Sequence, residues 1–524
     1  MVTARAGGDP LPDTADVVVI GAGHNGLTCA AYLARAGLEV AVLEAADQVG
    51  GDTRTEQLTL PGFAHDTCAS AHVLIQSNPM IRDDELGLLS TYGLRYRYTD
   101  PAVILPQPDG EPLVMHRDLA ATSDEIARFS GRDAAEFTAM IKEWHDGLAA
   151  VHGRWASHLP LGDSEAAARY RALRRLSAWE VVHRRFTHPV VRSFVLWMAM
   201  ATIQDPRRPG TGFLPSSLTA GRLAFGWTTP VGGSQALPDA LTALIRAHGG
   251  AVVCGAQVER VEVAGGRAAA VRAVDGRRVR ARRAVVSSAH LARLADMLEG
   301  CPTPPDLADA RQRWRPGLSV FAVHAALRAD LSYRSPAGPL RSPAAGFGTT
   351  AGVVRQIDAH HRGEPDATDP WLLVVGQTVV DPGRAPDGHA TFKILTIAPY
   401  TLRDGRDWAD AKGPFAEALV DLVRARVDGL AAGDVLALRA ESPVDVAAHN
   451  PHNLGGSCHG GEFLTSDGGV IPGWPTYTTS VPGLYLTGAT THPGGSVSGR
   501  PGRNAARAVL TDLGLDPATV MGPT

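Results

Sequence analysis

The stretch from Asp16 to Leu27 constrains the fold of this chain more than any other. It opens with the continuous apolar run Val17–Ile20, which is typical of a buried parallel strand. Glycines at positions 21, 23 and 26 then give the spacing G-x-G-x-x-G, and apolar residues at helical spacing follow as far as Gly37, which suits a helix C-terminus. A second apolar run, Val40–Leu43, comes next. The stretch therefore predicts a strand–helix–strand unit with a glycine-rich turn.

Each part of this unit suits the binding of a dinucleotide. Gly21 permits the tight turn, Gly23 lets the backbone approach a pyrophosphate, and Gly26 lets the helix pack close to the strand. The helix N-terminus offers unpaired N–H groups and the positive end of its dipole to phosphates. Glu44 lies 23 positions after Gly21, near the offset of about 20 at which an acid binds ribose hydroxyls. The alternative is a plain strand–turn–helix, and we predict the dinucleotide site.

Composition limits what else the chain can be. With 524 residues it is long enough for two or three lobes, and its net charge of −4 argues against a nucleic-acid partner. Its five cysteines form no C-x-x-C pair, so we predict no zinc site and no disulfide framework, which fits a reducing compartment. Residues 1–15 lack the apolar core of a signal peptide, and no apolar run reaches 18 residues. We expect a cytoplasmic protein without a spanning helix.

Two central stretches each allow two interpretations. The 14-residue apolar run Val190–Ile203 is the length of a buried helix, and the alternative is that it lines an apolar substrate tunnel. The basic stretch Arg169–Arg185 suits a solvated helix face, and contact with an acidic surface or lipid head groups is the alternative.

Glycine-rich segments recur far along the chain. Gly50 and Gly51, with Arg54 close behind, suit a second loop that passes a phosphate, although an ordinary polar loop has the same composition. Near the C-terminus, the apolar strand at Leu484 leads into a glycine-rich loop and a helix that starts near Gly499, which suits a second anion or flavin-ring site. The nucleotide lobe is therefore expected to be assembled from the beginning, middle and end of the chain.

Taken in order, these pieces resemble one known family. They are I-G-A-G-H-N-G at 20–26, Glu44, the glycine pair at 50–51, G-F-x-x-D at 62–66, V-G-G at 231–233, and L-Y-L-T-G-A-T-T-H-P-G-G at 484–495. The chain resembles FAD-dependent oxidoreductases of the phytoene-dehydrogenase-like group, within the amine-oxidase and glutathione-reductase-like flavoprotein superfamily. The resemblance implies an α/β fold in which a Rossmann-type FAD-binding lobe is built from discontinuous segments. An α+β substrate lobe with a mixed sheet and a helical cap accompanies it.

The resemblance also implies a division of the chain and a set of contacts with FAD. We expect FAD-binding segments at 14–90, 218–300 and 451–515, and substrate or cap segments at 91–217 and 301–450. The predicted cofactor-binding residues are Gly21, Gly23, Asn25, Gly26, Glu44, Gly51, Arg54, Val258, Gly488, Gly495, Ser496 and Val497.

Three departures from the family pattern matter. Many relatives place Arg directly after the paired glycines, whereas this chain has Asp52, so Arg54 would have to substitute. Many FAD proteins have Asp after the glycine that ends the C-terminal strand, where this chain has Ala489. The loop around Val497 lacks the aromatic residue that amine oxidases use in a cage around the amine, which argues against amine oxidation.

Histidines are the candidate bases for removing a proton beside the hydride that the flavin accepts. His492 is the first candidate, because the resemblance places its loop near the flavin ring, and His459 and His72 follow. For each, a histidine that is merely hydrogen-bonded in a loop is the competing interpretation. Cys458 is a candidate for tethering or tuning the flavin, with a buried inert thiol as the alternative.

The sequence thus predicts an FAD-dependent dehydrogenase or desaturase that acts on a C–C or related bond of a largely apolar or conjugated small molecule. Three alternatives stay open: an amine or amino-acid oxidase, a redox-neutral isomerase that uses reduced FAD, and a non-catalytic flavoprotein that serves as an interaction partner. The expected partner is a small-molecule substrate, with peripheral membrane contact open and the oligomeric state undetermined. No metal ligand set is predicted.

Overall fold

The structure is a computed structural model that describes residues 9–107, 111–462 and 477–522. Of residues 1–15, in which no signal peptide is expected, the first eight lie outside these ranges. Within the described ranges, every helix is too short or too polar to cross a bilayer.

The described residues form 21 strands. In chain order they are β1 (Thr14–Ile20), β2 (Val40–Leu43), β3 (Thr55–Glu56), β4 (His65–Asp66), β5 (Tyr96–Arg97), β6 (Val103–Leu105), β7 (Leu113–Met115), β8 (Thr229–Pro230), β9 (Ala251–Val253), β10 (Val258–Ala264), β11 (Arg267–Ala273), β12 (Arg278–Ser287), β13 (Leu298–Glu299), β14 (Val320–Leu327), β15 (Ser332–Tyr333), β16 (Ala344–Phe347), β17 (Leu372–Val375), β18 (Ala390–Ile397), β19 (Val427–Asp428), β20 (Val435–Glu441) and β21 (Leu484–Leu486).

The same residues form 16 α-helices. They are α1 (His24–Arg35), α2 (Pro79–Arg82), α3 (Leu119–Ala127), α4 (Gly131–Glu143), α5 (Ala149–Ala156), α6 (Glu165–Arg175), α7 (Ala178–Arg185), α8 (Pro189–Ala199), α9 (Leu214–Phe225), α10 (Ala236–Ala247), α11 (Leu291–Met297), α12 (Pro305–Arg313), α13 (Thr350–His361), α14 (Trp408–Arg424), α15 (Pro443–His449) and α16 (Arg500–Asp512).

The first sheet gathers strands from the two ends and the middle of the chain. Its parallel core runs β21-β12-β1-β2-β9. The N-terminal part of β12 also pairs antiparallel with β11, and β11 pairs antiparallel with β10. Helices α1, α10 and α16 pack on this sheet through an apolar core that they share with β1 and β2. The predicted Rossmann-type lobe assembled from discontinuous segments is confirmed.

The second sheet is mixed and has the order β20-β14-β18-β17-β16-β6-β7. Its pairs are antiparallel except for β16 with β6, which is parallel. Strands β6 and β7 come from the predicted segment 91–217, and the other five come from 301–450. The predicted second lobe with a mixed sheet is therefore also present, while the exact segment boundaries stay a prediction.

Helices α3 to α9 form the predicted cap against this sheet. Every residue of α8 from Ser193 to Ala199 is buried, and the Trp197 indole donates to the carbonyl of Leu372 at 2.8 Å. The apolar run at 190–203 is therefore a buried helix that packs on the second sheet, and its last turn reaches the cavity described below.

A buried polar network joins the two lobes. The Asp66 carboxylate, on strand β4, accepts hydrogen bonds from Arg384 at 2.6 and 3.1 Å. Lys393, on β18, donates to the carbonyls of Asp66, Thr67 and Cys68 at 3.0, 3.2 and 2.7 Å. The segment that follows β4 is therefore fixed against the second sheet, and it forms one wall of the cavity.

Candidate functional site

One large cavity of about 600 Å³ lies where the two sheets and the helical cap meet. Its volume falls within the range of roughly 300–1,000 Å³ that is usual for ligand sites. Ten of the twelve predicted cofactor-binding residues line it: Gly21, Gly23, Asn25, Gly26, Glu44, Gly51, Val258, Gly488, Ser496 and Val497. The structure thus brings together residues that lie more than 470 positions apart in the sequence.

The glycine-rich turn is shaped by close backbone contacts. Gly21 has φ of +90°, which strains residues with a side chain, and a Cβ on Gly26 would lie 2.2 Å from the carbonyl oxygen of Gly21. A Cβ on Gly23, by contrast, would meet no atom within 4 Å. Gly26 therefore permits helix–strand packing, while Gly23 leaves open space beside the N-terminus of α1, as the sequence predicts.

Helix α1 presents an uncapped N-terminus to the cavity. No side chain caps it, and its first turn has no acidic residue. The amide oxygen of Asn25 is buried there without a partner among the described residues. Free N–H groups and the positive end of a helix dipole form a site for an anion such as a pyrophosphate.

Glu44 follows β2 and is held rigidly at the cavity wall. Its carboxylate accepts hydrogen bonds from the backbone N–H groups of Ala22 at 2.6 Å and Ala46 at 2.9 Å. Val258 also lines the cavity, two residues after Ala256, whose N–H donates to the Glu44 carbonyl at 2.8 Å. The carboxylate has further acceptor capacity, so it is able to bind a ribose hydroxyl.

The C-terminal glycine-rich loop closes on the N-terminal unit. The carbonyl of Ser496 lies 3.3 Å from Nε2 of His24, and the Ser496 hydroxyl lies 3.1 Å from Nδ1 of His459. Gly488 at the end of β21 and Val497 line the cavity beside them. These contacts bring the predicted flavin-ring loop next to the predicted phosphate loop.

The residues present fit FAD. The uncapped helix and the open space at Gly23 suit a pyrophosphate, while the unpartnered amide oxygen of Asn25 and the fixed carboxylate of Glu44 are acceptors that suit hydroxyl groups such as those of a ribose. The groove that they form continues past Gly488 toward a second end that suits a ring system and a substrate.

Two predicted cofactor residues lie outside the cavity lining. The Arg54 side chain donates to the carbonyl of Gly51 at 3.2 Å and to His449, so it braces the loop instead of replacing the absent arginine of the family pattern. Gly495 packs against the backbone of His459, where a Cβ would lie 2.6 Å from the His459 Cα. Both residues position the lining without forming it.

Two of the three candidate bases also lie away from the cavity lining. Nε2 of His492 donates to the carbonyl of Trp155 at 2.6 Å, and its ring packs edge-on against the Trp155 indole. His72 is fully buried between the hydroxyls of Tyr96 and Ser234, at 3.3 and 3.2 Å. Burial lowers the pKa of His492 to about 4 and that of His72 to about 3. This geometry argues against the predicted catalytic roles of both and matches the competing interpretation of hydrogen-bonded, structural histidines.

His459 is the candidate base that lines the cavity. Burial lowers its pKa to about 4, so the ring is neutral at pH 7. With Nδ1 next to the Ser496 hydroxyl, a neutral imidazole is able to accept a proton.

The sequence interpretation missed several residues of the lining. Asp52 lines the cavity and is fixed by the amides of Asn450 at 2.8 Å and Asn453 at 3.0 Å. Cys68 lines it next to Cys458, the thiol predicted to lie near the flavin, and the two side chains are in hydrogen-bond contact. Asp52 directly follows the predicted glycine pair, and this position was a usable sequence signal that it lines the cavity. No comparable signal in the sequence marked Cys68.

The end of the cavity beyond these residues is apolar. It is lined by Val73, Leu74, Met198, Ala201, Leu218, Trp227, Leu373 and Leu395, together with Thr202 and Arg222. Among the described residues of the lining, Trp227 is the one Phe, Tyr or Trp. A pair of facing aromatic rings, as in an amine cage, is therefore absent from this lining.

Comparison with known proteins adds independent evidence. The sequence profile of "flavin containing amine oxidoreductase" matches residues 26–510. A mouse protein, "pyridine nucleotide-disulfide oxidoreductase domain-containing protein 2", is 27% identical over 95% of this chain and 94% of its own length. One of the subunits of limonene dehydrogenase from Castellaniella defragrans is 28% identical (96% and 95% covered), and a lycopene-forming phytoene desaturase of Pseudescherichia vulneris is 25% identical (92% and 96%).

A solved structure of a redesigned putrescine oxidase superposes with a TM-score of 0.65 at 18% identity, covering 96% of this chain and 99% of that one. This similarity concerns the fold. Together the matches confirm the predicted resemblance, the two-lobed α/β fold and FAD as the cofactor.

Proposed function

Because the chain belongs to the flavin-containing amine oxidoreductase family and is an FAD-dependent oxidoreductase, we propose that it dehydrogenates a C–C or related bond of a largely apolar or conjugated small molecule. The observation that carries the proposal is the apolar end of the cavity, which continues the groove that fits FAD. Apolar side chains there remove the substrate from water and bind it through contact area.

The same end of the cavity is a poor site for an amine. Arg222 lines it as a buried cation, and a substrate ammonium group would be repelled by that charge. Among the described residues of the lining there is also no pair of aromatic rings that would stabilise such a cation. Both features favour dehydrogenation of an apolar molecule over amine oxidation.

Dehydrogenation to a double bond removes a hydride from one carbon and a proton from its neighbour. Bound FAD supplies the hydride acceptor. The protein binds and orients the substrate, excludes water and accepts the proton. We assign the last role to Nε2 of His459, the neutral imidazole on the cavity wall.

His459→Gln tests that assignment. We expect flavin reduction to slow by about 10²- to 10⁴-fold with the flavin still bound, because the glutamine amide does not take up the proton. In stopped-flow measurements the wild-type rate should be independent of pH above about 5 and fall below it, as His459 becomes protonated near its lowered pKa of about 4. A variant with the wild-type rate would remove His459 from the mechanism, and His492→Gln, altered outside the cavity, is the matched control.

The function itself is tested by anaerobic mixing of the yellow holoenzyme with three panels: polyenes and their saturated precursors, cyclic apolar precursors, and simple amines. We expect the oxidised flavin band to bleach with members of the first two panels and the product to be lighter by two hydrogen atoms. Bleaching by amines alone, with release of peroxide on reoxidation, would establish amine oxidation instead.

Two further outcomes would also overturn the proposal. A product of unchanged mass would identify a redox-neutral isomerase. Flavin that no compound of the panels reduces, together with a stoichiometric protein complex, would identify a non-catalytic flavoprotein.

A further inference from the structure

Arg222 is a buried cation in the wall of the cavity. It lies on α9 one helical turn after Leu218, and both side chains line the apolar end. Only 8% of Arg222 is exposed. Burial lowers the pKa of Arg222 to about 9, so the guanidinium still carries its charge at pH 7.

No carboxylate among the described residues forms an ion pair with Arg222. One guanidinium N–H group reaches the carbonyl of Gly226 at 3.5 Å, and the guanidinium carbon lies 4.3 Å from the centre of the Trp227 ring. By contrast, the buried arginines Arg384 and Arg503 each contact a carboxylate, at 2.6 Å in both cases. A long hydrogen bond and one aromatic face compensate a buried charge only in part.

The position of Arg222 separates it from the groove that fits FAD. Its neighbours Leu218 and Trp227 belong to the apolar core of the helical cap and second sheet. The glycine-rich turn and β2 belong to the cores of the first sheet. The cation therefore stands at the substrate end of the cavity and not beside the phosphate site at α1.

We propose that the substrate carries a carboxylate that pairs with Arg222, so that the substrate class is apolar organic acids. This inference rests on the proposed function and narrows it. A guanidinium offers parallel N–H groups that match the two oxygens of a carboxylate. Such a contact would hold one end of the substrate at α9 and direct the apolar remainder along Met198, Leu373 and Leu395 toward the flavin end.

Binding of matched acids and amides tests the proposal. Holoenzyme is titrated by calorimetry with straight-chain alkanoic acids of 8 to 16 carbons, with 3-phenylpropanoate, and with the primary amide of each. For the wild type we expect at least one acid to bind about tenfold or more tightly than its amide, since a charged hydrogen-bond pair replaces a neutral one. In Arg222→Gln the acid and amide should bind within about twofold of each other, with amide affinity changed by less than about threefold.

Two variants serve as controls. Arg293→Gln removes an arginine that also lines the cavity but lies on α11, which packs in the core of the first sheet, and it should keep the acid preference. Arg222→Lys keeps a positive charge without the planar fork, so its preference should fall by about threefold or more. If Arg222→Gln loses its flavin, Arg222→Lys takes its place as the test variant.

The inference is wrong if no acid binds more tightly than its amide, or if the Arg222 variants keep the wild-type preference. Binding needs no turnover. The binding test therefore still gives a result if the proposed function fails in the flavin-reduction assay. Equal binding of acids and amides would overturn the inference about Arg222 but not the proposed dehydrogenation.

Discussion

Breaking the buried pair between Asp66 and Arg384 should destabilise the protein strongly. The side chains are each 1% exposed, and the pair connects strand β4 with the loop that precedes β18. The Asp66 carboxylate also accepts from the Ser234 N–H at 2.9 Å and from the Thr55 hydroxyl at 2.7 Å. Its charge is therefore compensated from three different segments of the chain.

The expected magnitude follows from burial. Asp66→Asn leaves the Arg384 guanidinium buried without its counter-charge, and Arg384→Gln leaves the Asp66 carboxylate buried without its paired guanidinium, with Lys393 as the remaining nearby cation. Each change should lower the free energy of unfolding by about 3–5 kcal/mol. The double variant Asp66→Asn/Arg384→Gln should cost less than the two single changes together, with a coupling of about 1.5 kcal/mol or more, because neither member of the pair is then left charged without the other.

Urea unfolding followed by tryptophan fluorescence, at a fixed saturating concentration of FAD, measures these differences. Arg362→Gln, which breaks an exposed pair with Glu364, is the control and should stay within about 0.5 kcal/mol of the wild type. Single variants within about 1 kcal/mol of the wild type, or strictly additive costs, would refute the reasoning.

The pH dependence of this contribution has a definite sign. Burial by itself would raise the pKa of Asp66, but Arg384 and the hydrogen bonds to its carboxylate hold that pKa below its usual value. The stabilisation is therefore fully present above the unfolded-state pKa of about 3.9 and is lost as the pH falls through the lower folded-state value.

Two further predictions concern FAD binding. Glu44→Gln should weaken binding of FAD to the apoprotein by about 10- to 100-fold, measured by flavin fluorescence, because a charged acceptor at the ribose becomes neutral. The control Asp47→Asn, at an exposed position, should change FAD binding by less than about twofold. Gly26→Ala should give protein that purifies without flavin absorbance, because the added Cβ would lie 2.2 Å from the Gly21 carbonyl. Gly131→Ala, whose Cβ meets open space, should stay yellow, and the reverse pattern in either pair would contradict the site.

How much the sequence could predict depended on the range of the interactions involved. The strand, turn and helix at 14–35 are encoded by neighbouring residues, because glycine spacing and apolar periodicity restrict the local backbone. The same reasoning located α16 and placed Glu44 at the end of its strand. These local patterns by themselves indicated a dinucleotide site, while FAD and the two-lobed fold followed from the resemblance to a known family that the patterns show when taken in their order along the chain.

Only the tertiary structure decided which side chains face the cavity. His459 and His492 lie in similar loops, yet the first lines the cavity beside the Ser496 hydroxyl and the second bonds to Trp155 of the helical cap, because tertiary contacts orient each ring. Arg222 has the sequence context of an ordinary surface residue on a helix. Its burial without a carboxylate arises from contacts between segments far apart in the chain, which no local pattern records.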